Sequence, residues 1–454
     1  MKGDAPPRPE LTRVLVEQAS AHRFANLPDD VCLLAKQCIL DWFAVTIAGL
    51  REPAVRLLLV EIEEDGGNPQ ATLIGQMRKA SAVQAALFNG TAAHALDYDD
   101  VNLAISGHPT AAILPGLLAL AEARGGSGKD VLTAFVAGYE VACRTGLLVA
   151  PDHYERGFHA TATVGSLGSA AACAHLLKLN PQKTAWAYGL AATLAGGLKA
   201  MFGTMAKPLH AGLAARNGLV AAKLAARGFD SSENVLENRQ GFANAHSSDF
   251  NPEAALAEPP RGFHIRSNLF KYHASCYGTH AVLECTRQLR EAHQLQLADV
   301  HKIVLSVNRA NDKICNIAEP RNGMEAKFSL RLNAAFGLTA VDTARLDAYE
   351  DRAVSQKAIV ALRDKVQVEL LTDWPPMKAA VRVEMADGRV FEISYDAGVP
   401  ADNVVAQGQR LETKFSALVE PVLGRKRAGL LAAAIINFET LSSMGEIARL
   451  SHTA

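Results

Sequence analysis

The segment ATATVGSLGSAAACAHLLKL, residues 160–179, decides the fold class of this chain. Most of its residues are small, and its larger apolar side chains recur at helical spacing. Small residues let helix axes approach closely, so the segment predicts a helix packed tightly among other helices. Alanine also raises intrinsic helix propensity, and this second explanation fits the composition equally well.

Helical patterns extend from this segment in both directions, from about Leu11 to Phe229. Glycine-rich or Asn-Pro breaks separate one pattern from the next. The other helices predicted in this half of the chain are Val31–Leu50, Ala111–Arg124, Lys129–Ala150, Pro181–Met201 and Leu209–Arg227.

The pattern changes after about Ser267. His301–Asn308 alternates like a strand, and Ala379–Tyr395 predicts two strands around an Asp-Gly turn. Lys327–Val341 and Asp351–Arg363 have helical patterns, and so does the tail, Glu412–Leu450. A chain of 454 residues is too long for one typical domain of ~100–200 residues. We therefore predict a mainly α protein with a second α+β domain: a helical domain of residues 1–267 and 401–454, and an α+β domain of residues 268–400.

Charge and cysteine content exclude several classes of protein. The 46 Lys+Arg and 47 Asp+Glu residues give a formal net charge of -1, without the basic excess typical of a nucleic-acid-binding protein. The N-terminal MKGDAPPRPELTR has no apolar segment typical of a secretory signal, and Leu103–Ala121 contains too much Pro and Gly for a good membrane span. Seven cysteines without a CxxC argue against a disulfide framework, a zinc ribbon and an iron–sulfur cluster. We expect a cytoplasmic protein with no nucleic-acid or membrane partner.

Titratable residues cluster in NGTAAHALDYDD, residues 89–100, which is followed closely by His108. His94 and Asp97 are three residues apart, so a helix would place them on one face. Carboxylates next to imidazoles suit general acid–base chemistry, because burial and like charges move pKa values toward neutrality. Two alternatives stay open at this point: a solvated acidic loop with capping aspartates, and a metal site formed by His94, Asp97 and His108.

Three further segments carry candidate residues. His159 precedes the helix at residues 160–179, where it would either meet an anion or cap the helix. Lys207 precedes Pro208, the expected first residue of a helix, and would either neutralise a carboxylate or lie at the surface. KYHASCYGTH, residues 271–280, contains Cys276, either an acid–base thiol or a buried inert one. The chain has no GxGxxG in a βαβ context, no Walker A motif and no GxSxG, so redox-cofactor, nucleotide and hydrolase functions lack their usual motifs.

Taken together and in order, these segments resemble the MmgE/PrpD superfamily, whose members include 2-methylcitrate dehydratase, cis-aconitate decarboxylase and iminodisuccinate epimerase. The resemblance implies a large helical domain built from both chain ends, a smaller α+β lid domain with a cleft between them, a homodimer and no cofactor. The matching segments are NGTAAHALDYDD (89–100), GHPTAAILP (107–115), GFHATATVG (157–165), KPLHAGLAARNG (207–218), KYHASCYGTH (271–280) and EAKFSLR (325–331).

The resemblance also implies roles for single residues. Asp97, His108, His159 and Cys276 match catalytic positions of the family. Substrate binding is expected from Lys207, Lys271 and His273, and no metal ligands are expected.

Four positions depart from the family pattern. Val101 and Leu332 stand where hydroxyl-bearing Thr and Tyr are common, Ala274 replaces a common Pro, and Cys276 replaces the His of cis-aconitate decarboxylases. The two lost hydroxyls weaken the case for a decarboxylase or a methylcitrate dehydratase. They favour an isomerase that epimerises iminodisuccinate.

The chemistry that these enzymes share is proton transfer at a carbon flanked by carboxylates. Because such a site must stabilise an enolate-like charge, we expect Lys207 and Lys271 to bind the substrate carboxylates. His108 and His159 would act as acid and base, and Asp97 would orient one of them. The alternatives are a 2-methylcitrate-type dehydratase, a cis-aconitate-type decarboxylase, a non-catalytic polycarboxylate-binding protein and a metal-dependent hydrolase.

Overall fold

Helices form most of the first 270 residues in the computed structural model, which describes residues 10–259 and 261–453. The expectation that the N-terminus carries no secretory signal rests mainly on residues 1–9, which lie outside the described residues. Within the described residues the chain divides into two units, one up to Phe270 and again from Asn403, the other Lys271–Asp402.

The first unit contains helices and one small two-stranded ladder, β1 (Ala71–Thr72) with β2 (Lys79–Ala80). Its helices before Phe270 are α1 (Leu11–Ala21), α2 (Asp29–Gly49), α3 (Pro53–Asp65), α4 (Ala82–His94), α5 (Pro109–Arg124), α6 (Gly128–Val149), α7 (Asp152–Glu155), α8 (Ala160–Leu176), α9 (Pro181–Leu194), α10 (Ala206–Ala226), α11 (Phe242–His246) and α12 (Pro252–Leu256).

Helix α8, which carries the small-residue segment, is buried from Ala160 to Ala174 and packs against α5, α6, α9 and α10. Glycines lie where the backbones approach most closely. A β-carbon on Gly138 of α6 would lie 2.5 Å from the Gly168 carbonyl oxygen of α8, and one on Gly212 of α10 would lie 2.2 Å from the Leu87 carbonyl oxygen of α4. The prediction of tight helix packing is confirmed at these contacts.

Two helix ends differ from the sequence prediction. Helix α9 ends at Leu194 rather than near Met201, because the chain leaves helical geometry at Ala195, whose ψ is +120°. It turns again at Gly197, whose φ is +147° and whose carbonyl accepts a hydrogen bond from the His159 N–H. Helix α8 ends at Leu176, two residues before Lys178 takes the left-handed φ of +53°. In both cases the conformation of one residue after the helix sets its end.

The second unit is α+β. Its elements are α13 (His280–His293), β3 (Val300–Asn308), α14 (Asn311–Cys315), α15 (Gly323–Ala326), α16 (Leu330–Leu338), α17 (Asp351–Val354), α18 (Lys357–Arg363), β4 (Val366–Leu371), β5 (Lys378–Met385) and β6 (Val390–Asp396).

The strands of the second unit form a mixed sheet in the order β4-β3-β5-β6. Strands β3 and β4 are parallel, with Ile303 opposite Val366, and the other pairs are antiparallel. Three of these strands follow the sequence prediction, whereas β4 was not predicted because it is a partly exposed edge strand with a weak apolar signal. The single helix expected over Asp351–Arg363 is two short helices, α17 and α18. The fold is thus mainly α, with a small mixed sheet in the C-terminal region.

The last three helices, α19 (Val404–Leu423), α20 (Arg425–Ile436) and α21 (Met444–Leu450), belong to the first unit, where α19 packs against α2. Lys414 of α19 donates to Asp41 Oδ1 of α2 at 2.5 Å and to the Tyr98 carbonyl oxygen at 2.8 Å. The side chains of Lys414 and Asp41 are each 1% exposed, so this is a fully buried ion pair. It fixes the end of the chain to the loop that follows α4.

Two helices, α2 and α6, are long and apolar enough to cross a membrane by length and composition. They are 83% and 89% buried within the protein over their most apolar windows, and core helices commonly pass the same test.

Candidate active site

Three long helices of the first unit begin close to one another. His108 directly precedes α5, His159 directly precedes α8, and Lys207 lies in the first turn of α10. The Thr161 hydroxyl of α8 accepts a hydrogen bond from the His108 backbone N–H at 3.1 Å. Gly107 allows this contact, because a β-carbon there would lie 2.8 Å from Thr161 Oγ1. Helix N-termini carry partial positive charge and free N–H groups, so their convergence favours an anion.

The sequence predicted that Lys207 precedes its helix, and this prediction is wrong. Helix α10 begins at Ala206, and Pro208 is its third residue, where a missing N–H costs no intrahelical hydrogen bond. The lysine side chain is largely covered, being 16% exposed, and its Nζ lies 2.9 Å from Asp97 Oδ2.

Asp97 joins two of the predicted site residues. Its Oδ2 faces Lys207, and its Oδ1 lies 3.5 Å from His108 Nε2. The prediction that His94 and Asp97 share a helix face is wrong, because α4 ends at His94 and Asp97 adopts a left-handed φ of +50°. Asp is one of the few non-glycine residues that visit this conformation readily.

Asp99 lies between two imidazoles. Its Oδ2 is 2.9 Å from His94 Nδ1 and 3.2 Å from His108 Nδ1. Burial raises the pKa of Asp99, but His108 and His94 outweigh burial and hold this pKa well below its ordinary value. Burial lowers the pKa of His94 to about 4, against the opposing effect of Asp99. We therefore assign a carboxylate to Asp99 and a neutral ring to His94, whose Nδ1–H donates to it.

His159 forms the other side of the cluster. Its Nδ1 lies 3.0 Å from His210 Nδ1, so one ring donates and the other accepts. Its ring stacks on that of His94, with the centroids 5.7 Å apart, and the rings of His94 and His108 are 4.5 Å apart. Burial lowers the pKa of His159 well below its ordinary value, and the neighbouring imidazoles and Lys207 lower it further. We therefore assign a neutral ring to His159 in the free protein.

The structure adds residues to which the sequence assigned no role in proton transfer. His94 and Asp99 stood in the first cluster, and His210 in the KPLH motif, but spacing alone does not reveal which ring faces which carboxylate. Phe202 gave no sequence signal at all. Its ring lies 5.0 Å from the His159 ring and 5.2 Å from Lys207 Nζ, where it forms an apolar edge beside both.

A metal ion is the alternative occupant of this cluster. One donor atom from each of His94, Asp97, Asp99 and His108 lies within 4.8 Å of the others, which brings the set within reach of a small cation. Lys207 already places a positive charge 2.9 Å from the Asp97 carboxylate, however. A cation bound there would have to displace or repel the Lys207 ammonium group, so the geometry suits proton transfer better than metal binding.

The other predicted site residues lie in the second unit. His273 is buried, its Nδ1 is 2.7 Å from Thr343 Oγ1, and its Nε2 is 3.2 Å from Glu284 Oε1. Because both ring nitrogens have partners within the unit, the geometry does not favour substrate binding by His273. Cys276 is half-buried, and its thiol contacts that of Cys315, which raises the Cys315 pKa.

Lys271 is buried at 3% exposure. Its role and that of Cys276 stay predictions, as do the catalytic roles of Asp97, His108 and His159.

Comparison with known proteins matches almost the whole chain. The model of the MmgE/PrpD N-terminal domain matches residues 13–255, and that of the MmgE/PrpD C-terminal domain matches residues 273–438. The cis-aconitate decarboxylase-like protein oryM of Aspergillus oryzae is 26% identical over 98% of each chain. The cis-aconitate decarboxylase of Homo sapiens is 28% identical over 92% of this chain and 90% of its own. That of Aspergillus terreus is 28% identical over 67% of this chain and 66% of its own.

Proposed function

This chain belongs to the MmgE/PrpD family, and we propose that it is a lyase that acts on a small polycarboxylic acid through proton transfer. One observation carries the proposal: two imidazoles and one ammonium group converge at the N-termini of α5, α8 and α10, where Asp97 contacts His108 and Lys207. The substrate is expected to bring the carboxylates that this positive region attracts. The proposed reaction uses only side chains of the protein.

Reaction next to a carboxylate places negative charge on carbon and on the carboxylate oxygens. Lys207 is suited to stabilise this charge, because its side chain is largely covered. The attraction between its ammonium group and a negative charge is stronger there than in water. His159 would accept or return the proton as a neutral base. His108 would supply a proton, with its ring held between Asp97 and Asp99.

Decarboxylation of a cis-aconitate-type tricarboxylate is the reaction to test first. Relatives named for that activity align over nearly the full chain, whereas no relative reported above is named an epimerase. In this reaction the C–C bond to one carboxylate breaks, CO₂ leaves, and the electron pair that stays behind takes up a proton from His108. Product formation therefore requires one acid and one site for the developing negative charge.

Epimerisation of iminodisuccinate remains the second candidate. It is favoured by Val101 and Leu332, which lack the hydroxyl groups common at those positions in dehydratases and decarboxylases. Leu332 is fully buried in α16, and its apolar side chain offers no hydroxyl at this position. Epimerisation would need one group on each face of the reacting carbon, and His108 and His159 are the pair proposed for it.

The test is an NMR assay in D₂O with cis-aconitate, 2-methylcitrate and iminodisuccinate. Decarboxylation releases CO₂ and incorporates one deuteron, dehydration produces a new alkene, and epimerisation incorporates deuterium with inversion but produces no alkene. We expect His108→Asn and His159→Asn each to reduce turnover about 10²–10⁴-fold, the typical contribution of one acid or base.

The matched control is His301→Asn, since His301 is exposed on β3 of the second unit. This variant should keep wild-type turnover. If all three substrates are left unchanged while citrate-like ligands bind, the chain is a binding protein. If both site variants stay within a few fold of wild type, the proposed roles of the histidines are wrong.

A further inference from the structure

A cavity lies at the C-terminal end of α8, away from the candidate active site. It has a volume of about 590 Å³, within the usual range for small-molecule sites. We call it the basic cavity, because cationic and imidazole side chains dominate its polar lining. Those that matter here are His22, Arg23, Lys129, Asp130, His175 and Lys178.

The three permanent cations of the basic cavity have no carboxylate partner. Within residues 10–259 and 261–453, neither Arg23, Lys129 nor Lys178 forms an ion pair. The lining also contains the carboxylate of Asp130, which accepts hydrogen bonds from the Ser127 backbone N–H and hydroxyl at the start of α6. Its charge acts on Lys178 and His175, but one carboxylate faces three cations, so the cavity keeps a net positive charge.

The three cations are exposed, and one of them is oriented by hydrogen bonds. Arg23 Nη1 donates to the carbonyl oxygens of Ser20 and His22, at 2.6 and 2.7 Å, which orients the rest of the guanidinium. Lys129 Nζ lies 5.3 Å from the centre of the Phe24 ring. The oriented guanidinium of Arg23 loses less side-chain entropy when a ligand binds than a mobile cation does.

The pKa values of the two histidines in the cavity, His22 and His175, are lowered by burial and also by the neighbouring cations. His175 Nε2 lies 3.1 Å from the His22 carbonyl oxygen, so the two residues are joined across the cavity wall. Burial is the main cause that lowers the pKa of His22 to about 4, and His175, Arg144 and Arg23 contribute to this shift. Burial also lowers the pKa of His175, and Arg23 and Lys178 add to that effect. An anion is the occupant that would relieve this repulsion.

Part of the wall is apolar. Phe24, Leu176, Leu179 and Pro181 also line the cavity. A cavity lined by both cations and apolar groups suits an organic anion better than an inorganic ion.

We propose that the basic cavity binds a small organic anion with at least two negative charges on its oxygens, a phosphate ester or a polycarboxylate. The site is separate from the proposed active site. His159 lies at the start of α8 and His175 in its last turn, and a helix of 17 residues is about 25 Å long. This inference does not depend on the proposed reaction.

Titration calorimetry of the full chain tests the proposal, with phenyl phosphate, citrate and acetate as ligands at constant ionic strength. We expect phenyl phosphate or citrate to bind with a Kd below about 1 mM, and acetate to bind at least about tenfold more weakly. The ligand that binds more tightly distinguishes a phosphate ester from a polycarboxylate. Equal and weak binding of all three would overturn the proposal.

Variants locate the binding. The double variant Lys129→Ala/Lys178→Ala should weaken it at least about tenfold, and the charge-preserving Lys129→Arg/Lys178→Arg should retain it. The matched control, Arg425→Ala/Lys426→Ala, removes two exposed cations from α20 and should change nothing. Lys207→Met separates this site from the active site, because it should leave binding in the basic cavity intact. Binding that is lost in Lys207→Met but retained in the Lys129/Lys178 alanine variant would contradict the proposal.

Discussion

At the scale of single residues, the backbone of Asp97 matters as much as its carboxylate. It adopts a left-handed conformation three residues after the end of helix α4, and its carboxylate lies close to both Lys207 and His108. The sequence was sufficient to select Asp97, His108, His159 and Lys207 as candidates. It could not reveal that Asp97 leaves the helix, because helical spacing assumes helical backbone at every position.

Lys207 gives the sharpest test of charge stabilisation. Lys207→Met should lower kcat/KM about 10²–10³-fold, as loss of one stabilising group typically does, while Lys207→Arg should retain part of the activity. Steady-state kinetics on the active substrate measures both. Lys183→Met is the control, since Lys183 is also partly buried but bonds to the Ala226 carbonyl at the far end of α10. A loss of less than about threefold in Lys207→Met would contradict the assigned role.

Asp100 predicts a pH dependence of stability. Burial raises its pKa to about 8, although the hydrogen bond with Thr110 acts in the opposite direction. Since the folded pKa exceeds the unfolded value of about 3.9, this carboxyl contributes stability below pH ~4 that is lost as the pH rises through 8. Asp100→Asn should therefore lose less stability than wild type between pH 6 and 9, as measured by urea unfolding.

Asp130→Asn is the control for the Asp100 variant. The hydrogen bond from Ser127 holds the pKa of Asp130 below its ordinary value, so this carboxylate stays ionised throughout that pH range. Asp130→Asn should therefore change the urea midpoint of unfolding by the same amount at pH 6 and at pH 9. If stability changes with pH as steeply in Asp100→Asn as in wild type, Asp100 is not protonated in the folded protein.

At the scale of secondary-structure elements, small residues set how closely the helices of the first unit pack. The sequence predicted where most of these helices lie, because Ala-rich helical patterns and glycine or Asn-Pro breaks alternate along it. It could not predict the end of α9, because a tertiary hydrogen bond from the His159 N–H to the Gly197 carbonyl holds the chain there. It also missed β4, whose sheet partner β3 lies far away in the sequence.

Gly212 tests the contact between α10 and α4. In Gly212→Ala the new β-carbon would lie 2.2 Å from the Leu87 carbonyl oxygen, so one helix must shift. We expect a loss of about 1–3 kcal/mol in the free energy of unfolding, typical of an overpacked core. Activity should fall as well, because α10 carries Lys207.

Gly429 provides the control of opposite sign. It lies inside α20, and a β-carbon there would have no described neighbour within 4 Å. Gly429→Ala should stabilise the protein by about 0.5–1 kcal/mol through helix propensity alone. Chemical unfolding of both variants decides the comparison, and equal changes in the two would mean that helix packing at Gly212 is not limiting.

At the scale of the whole molecule, the change of pattern near Ser267 predicted a helical part and an α+β part. The structure is mainly helical and has a small mixed sheet in the C-terminal region. Fold class was accessible because helical and strand periodicities differ over long stretches. The homodimer, the lid role of the second unit and the cytoplasmic location stay predictions, since they depend on a second subunit, on motion and on the cell rather than on the fold of one chain.

The first unit buries several histidines, and this predicts instability in acid. Burial lowers the pKa of His94, His153 and His264 to about 4 each. Since these values lie below the unfolded value of about 6.5, the stability that they contribute is present above pH 6.5 and is lost as the pH falls through 4. We expect the thermal midpoint to drop steeply between pH 6.5 and 4. His264→Gln should flatten this drop and the exposed His301→Gln should not, so equal curves for the two variants would refute the explanation.

Lys414 has a consequence for how the protein is made. It follows Tyr98 by more than three hundred residues, yet its ammonium group donates to the carbonyl of Tyr98, the residue between Asp97 and Asp99. During translation the loop that carries these two carboxylates therefore lacks one of its anchors until α19 has been synthesised and has packed against α2. Shortened products that stop before α19 should accumulate as inert protein rather than as partly active enzyme.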